Sequence, residues 1–242
     1  MVESIADKLK IVLVGDSTVC DYEAETSKAL DRQGWGMQLK NLIQNSQVIN
    51  LALSGRSSRS FLVEENYKRL EEELCEKAYL LIQFGHNDEK IEDPNRGTYP
   101  HLVLGQLDEE GKDDTGRYSF EWMLLNKYIK LAWEKGATPI LVTPIARRMI
   151  TGQPTIEAHQ TYIDGIKRIA EEHNIQCIDL ANQTKKLYDE MYVEGGSRIT
   201  AHMHAFKDEE HKEIDNTHLS KYGAEIIAHL VVKNLFIESE IN

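Results

Sequence analysis

The chain has 242 residues, 41% of them hydrophobic and 28% charged, enough for a single domain over 1–242 that buries about 70 to 75% of its unfolded surface without disulfides or metals. With 40 acidic against 28 basic side chains the formal net charge is −12, which repels phosphate backbones and anionic lipid, so neither nucleic acid nor a membrane is an expected partner. Cys20, Cys75 and Cys177 are an odd number without CxxC spacing, and the first apolar run is too short for a signal-peptide core, so a reduced, cytoplasmic protein is expected.

Short β-branched runs alternate with longer amphipathic stretches, the pattern of βα units around a parallel sheet buried on both faces. Five strands are predicted, Lys10 to Val14, Val48 to Leu53, Tyr79 to Phe84, Thr138 to Val142 and Gln176 to Leu180. Apolar residues at three- and four-residue spacing predict helices over 35–45, 61–74, 119–136, 155–173 and 219–236. Trp35, Trp122 and Trp133 fall on their apolar faces and read as core. Two segments break the rhythm, Asp88 to Ser119 and Glu194 to Asn216. Loops of that length in a compact domain are expected to form cleft walls or a lid.

In an open parallel sheet, ligands bind beyond the carboxyl ends of the strands. Gly15-Asp16-Ser17 follows the first strand, Ser54-Gly55-Arg56-Ser57 the second, Gly85-His86-Asn87-Asp88 the third and Pro144 to Arg148 the fourth, while Asp215-Asn216-Thr217-His218 precedes the last helix. A serine hydroxyl needs a base to become a nucleophile, and the base needs an acid to fix its tautomer. Ser17, His218 and Asp215 supply these three. Ser17, at a strand-to-helix turn, presents its N–H to a developing oxyanion, Gly55 admits a close backbone approach with a second N–H, and Asn87 offers a side-chain amide.

The four blocks, VGDST with Ser17, NLALSGRSS with Gly55, FGHND with Asn87 and DNTHLS with His218, resemble those of SGNH (GDSL-type) esterases, in order and across nearly the whole chain. That resemblance implies a three-layer α/β/α fold with a five-stranded parallel sheet in flavodoxin-like order, and a serine esterase that requires no metal or cofactor. Together with TPIARR at 143–148, the blocks are most similar to rhamnogalacturonan acetylesterases, which implies an acetylated pectic oligosaccharide as substrate. Other activities within the same superfamily, such as a thioesterase or lysophospholipase, and a non-catalytic carbohydrate-binding protein remain the alternatives.

Each motif also has a plainer reading. Asp215-Asn216-Thr217 before an apolar helix is by itself a helix N-cap, and Asp16 a turn or cap residue. His86 reads as a hydrogen bonder at a strand end and as a candidate substrate contact. Arg56, Arg147 and Arg148 suit a uronate carboxylate if they face the cleft and solubility if they face water. His202, His204 and His211 fit either a metal cluster or a polar cleft wall, and the wall needs no metal. Cys20 reads as a small buried residue.

Overall fold

The computed structural model describes residues 8–22, 30–148, 159–210 and 213–235. Five strands, β1 (Leu9–Gly15), β2 (Ser46–Asn50), β3 (Tyr79–Gln83), β4 (Thr138–Val142) and β5 (Cys177–Ile178), form one all-parallel sheet in the order β2-β1-β3-β4-β5. This is the expected doubly wound order, in which each crossover helix covers one face.

Side chains alternate across the strands. Ile11 and Leu13, with Leu81, Ile140 and Val142, pack against α1 (Trp35–Leu42) and α6 (Lys221–Lys233) through Leu39, Ala224, Ile227 and Val231. Val12 and Val14, with Leu80, Ile82 and Leu141, meet α2 (Glu65–Glu73), α3 (Phe120 to Glu134) and α4 (Gln160–Glu172) through Leu70, Tyr128, Ile129 and Ile166. Both faces of the sheet are therefore dry, which is why its strands read as continuous apolar runs. Helix α3 is one rod in three pieces, Phe120–Met123, a π-helical Leu124–Ile129 and Lys130–Glu134, and Gly136 ends it with φ 72°. No helix among the described residues is long and apolar enough to cross a membrane.

Several expectations are corrected. The segment after β5 is largely helical, since α5 runs from Leu180 to Ala201, with Asp179 Oδ1 capping Asn182 N at 3.2 Å. It continues past the expected loop start at Glu194 through a kink where Gly195 and Gly196 leave helical geometry. A hairpin follows, β6 (His204–Phe206) antiparallel to β7 (Ile214–Leu219). Asp215 and His218 thus sit on a strand, and the last helix is capped by Ser220, whose Oγ accepts from Gly223 N at 3.1 Å. The helix expected to begin at Ser17 is, as far as Tyr22, one turn closed by Val19 N and Cys20 N on the Asp16 carbonyl. Of the tryptophans only Trp35 is core, and Trp133 is 43% exposed, beside His173.

Candidate active site

The Asp215–His218 pair owes its geometry to an irregular strand. His204 pairs with Leu219 and Phe206 with Ile214, so two steps on β6 lie against five on β7, and the surplus bulges out between Ile214 and Leu219. In a regular strand, side chains three apart point to opposite faces. Here the bulge folds them together, with His218 Nδ1 at 2.7 Å from Asp215 Oδ2. Asp215 Oδ1 fixes the loop by accepting from Thr217 N at 2.7 Å and His218 N at 3.1 Å.

The bulge is held from two sides. Arg148 Nε donates to the Asp215 carbonyl oxygen, and Arg32 Nη2 donates to the Lys207 carbonyl while lying 3.8 Å from Asp215 Oδ2. Burial alone would raise the Asp215 carboxyl, but His218 and the two N–H donors outweigh it and hold the carboxyl well below the usual range. It is therefore ionised at neutral pH.

Ser17, His86 and Asn87 from the ends of β1 and β3 meet Asp215 and His218 across one cleft of about 300 Å³. Lys90, Arg147, Asn216 and Thr217 complete its lining, and none of the nine residues is a large apolar side chain. Ser17 is 6% exposed. Its carbonyl accepts from Tyr22 Oη at 3.0 Å.

Gly55 lines a larger neighbouring cleft of about 820 Å³, together with Arg56 and residues from the Asp88 to Ser119 segment. It occupies the third position of a turn closed by Arg56 N on the Leu53 carbonyl, with φ 76°. That conformation, rather than close approach of another group, requires the glycine, because a Cβ there would meet nothing within 4 Å. Asn87 Nδ2 donates to the Arg56 carbonyl at 3.1 Å and so ties this turn to the end of β3.

Asp16 is fully buried, with Oδ1 accepting from Thr18 N at 2.9 Å and Oδ2 3.2 Å from His86 Nδ1. Burial pushes its carboxyl up, and the His86 contact with the Thr18 donors brings the net shift down. The turn reading of Asp16 is the one its contacts match. Cys20 is buried, and burial together with Asp16 pushes its thiol up to about 12.

The arginines divide. Arg147 lines the cleft and pairs with Glu89 at 2.8 Å; Arg56 pairs with Glu64 at 2.6 Å in the larger cleft. Arg148 does not face the cleft. It is 5% exposed, and its Nε and backbone N–H donate to the Asp215 and Asn216 carbonyl oxygens, so it braces the bulge.

The histidine-bearing stretch also differs from its expected role. His202 is exposed, His204 is buried against Tyr188, both line a separate cavity of about 570 Å³, and His211 lies outside the described residues. Among the described residues no three His, Cys, Asp or Glu side chains are grouped to hold a metal ion.

Sequence reasoning passed over four residues here. Asp88 accepts from Ser58 N, Ser58 Oγ, Thr98 Oγ1 and Gly85 N, binding the second and third blocks together, and burial raises its carboxyl to about 6. Its place in FGHND was a usable signal. Glu89 and His159 carried none, because their partners are set by the fold, whereas Lys90 meets Asn87 three positions earlier in the same turn.

A family model described as GDSL-like lipase/acylhydrolase matches residues 11–231. The chain belongs to that family. Its members are carboxylic ester hydrolases, and this chain is one. It is 32% identical over 234 residues to the rhamnogalacturonan acetylesterase RhgT of Bacillus subtilis, spanning 94% of this chain and 89% of that one. It is 31% identical to the probable rhamnogalacturonan acetylesterase YesY of the same organism, spanning 93% and 91%. Among solved structures, Bacillus subtilis YxiM matches with a TM-score of 0.70 at 24% identity, over 94% of this chain and 56% of that one. A catalytic mutant of the acetylxylan esterase Axe2 from Geobacillus stearothermophilus matches at 0.59 and 16%, over 95% of both. At those identities the two structures bear on the fold of this GDSL-like hydrolase alone.

Proposed function

We propose that this hydrolase removes O-acetyl groups from carbohydrate, with acetylated rhamnogalacturonan oligosaccharide as the substrate class, through an acetyl-Ser17 intermediate. The observation that carries the reading is the 2.7 Å contact of His218 Nδ1 with Asp215 Oδ2 in the cleft that Ser17 and Asn87 also line. An ionised carboxylate on Nδ1 keeps the proton there and leaves the Nε2 lone pair for the serine hydroxyl.

Ser17 Oγ then attacks the acetyl carbonyl as His218 takes its proton, and the oxyanion is met by the N–H groups of Ser17 and Gly55 and the Asn87 amide. His218 returns the proton to the departing sugar hydroxyl. Water, deprotonated by the same imidazole, releases acetate and restores the serine. Arg147, on the cleft wall, suits a uronate carboxylate nearby.

The polar lining and small volume of the cleft favour acetyl over a long acyl chain, and the named activities of RhgT and YesY point to the pectic sugar. The test is acetate release from a panel of acetylated polysaccharides, alongside acetyl and long-chain p-nitrophenyl esters. Fastest release from rhamnogalacturonan is expected, and faster turnover of long-chain esters would sink the deacetylase reading.

A further inference from the structure

Lys90 lies just past the FGHND block, three positions beyond Asn87. Its ammonium donates to Asn87 Oδ1 at 2.8 Å, while Asn87 Nδ2 donates to the Arg56 carbonyl oxygen at 3.1 Å. An ammonium has no lone pair and a carbonyl no hydrogen, so both contacts require the same orientation of the amide. One N–H of Nδ2 is used by Arg56, and the second remains. Lys90 and Asn87 both line the cleft that holds Ser17 and His218.

We infer that Lys90 is a positioning residue for acyl transfer, which locks the Asn87 amide with its free N–H toward the oxyanion and strengthens that N–H by polarising the amide. The inference rests on the reading of Asn87 as an oxyanion donor. Hydrogen bonds with one charged partner are about twice as strong as neutral ones, and hydrogen bonds in a chain polarise one another. A cation on Oδ1 draws electrons from the amide nitrogen, and the effect is largest when the oxyanion carries full negative charge. It therefore acts on kcat more than on KM.

Charged groups around Lys90 come from several elements. Arg96 and Arg147 disfavour its proton, Glu89 and Asp16 favour it, and Asp215 and His218 share the same cleft. Burial is the largest influence, and the ammonium titrates below its ordinary 10.5. An alkaline fall in kcat follows, which a permanently charged guanidinium at this position would not show.

The experiment compares kcat, KM and the alkaline pH profile on one acetyl ester for wild type, Lys90→Met, Lys90→Arg, Asn87→Ala and the Asn87→Ala/Lys90→Met double variant. Lys90→Met is expected to lower kcat roughly 10-fold with KM nearly unchanged, less than the roughly 10² to 10³ lost with a donor itself. Lys90→Arg restores most of that loss and abolishes the alkaline fall, and the double variant is no slower than Asn87→Ala alone. If Asn87→Ala is crippled while Lys90→Met keeps kcat within twofold of wild type, the Lys90 inference is overturned and the oxyanion reading stands. Full activity in Asn87→Ala overturns both.

Discussion

Arg148 and Asp215 are joined through the backbone: the buried guanidinium donates from Nε to the Asp215 carbonyl at 3.1 Å, and Arg148 N donates to the Asn216 carbonyl at 3.1 Å. The segment after β4 thereby fixes the bulge that carries Asp215 and His218. Replacing Arg148 with Met leaves a buried carbonyl without its donor, a loss of about 1 to 3 kcal/mol. The expected result is a lower urea midpoint and a kcat reduced more than KM is changed. An unaltered kcat would separate the bulge from catalysis.

Asp215→Asn preserves the shape of the side chain but removes the charge that sets the His218 tautomer, and kcat is expected to fall by roughly 10³ to 10⁴. Ser17→Ala should cut acetate release to a small residual rate with the fold intact. Adding His218→Ala to Ser17→Ala should cost nothing more, because the two act as one unit. A further loss in the double variant would contradict that.

His159 precedes α4 with φ 65°, 8% exposed, its Nδ1 hydrogen-bonded to Glu89 and its ring 4.5 Å from that of His86. Burial, and then the charge of His86, lower its pKa to about 4 against the pull of Glu89. The unfolded chain takes this proton near 6.5 and the folded one near 4, so stability present above 6.5 is lost as pH falls between the two. The full effect is roughly 3 kcal/mol. His159→Asn, which tolerates the left-handed backbone, should lose less stability than wild type between pH 7 and pH 4.5. Identical losses in denaturant titrations would absolve His159.

Gly55→Ala places a Cβ in open space but at φ 76°. The strain is about 1 to 2 kcal/mol, and relief of it rotates the Gly55 N–H away from the direction proposed for an oxyanion donor. A kcat reduced roughly 10-fold or more, with a small drop in melting temperature, is expected. Wild-type kcat at the lower melting temperature would remove Gly55 as a donor.

The five strands and the positions of the Ser17, Gly55 and Asn87 blocks after strand ends were legible because they depend on local signals, apolar runs of strand length set between stretches of helical period. Ser17, Asn87 and the Asp215–His218 pair stood out as candidates for the same reason, lying in three short blocks. Helix α5 was not, since Gln183 to Lys186 and the Gly195-Gly196 kink dilute its periodicity, although the Asp179 cap was in view. The bulge in β7, its bracing by Arg148, the cavity that His202 and His204 line apart from the Ser17 cleft, and the contacts of His159 were decided by tertiary structure alone. A buried polar side chain must find a partner, and which partner lies within reach is set by how the sheet, the hairpin and the β3 turn pack together. The sequence by itself determined which groups the chain owns and that Ser17, Gly55 and Asn87 follow strand ends; only the packing placed Asp215 and His218 on a bulged strand and decided which groups face the same cleft.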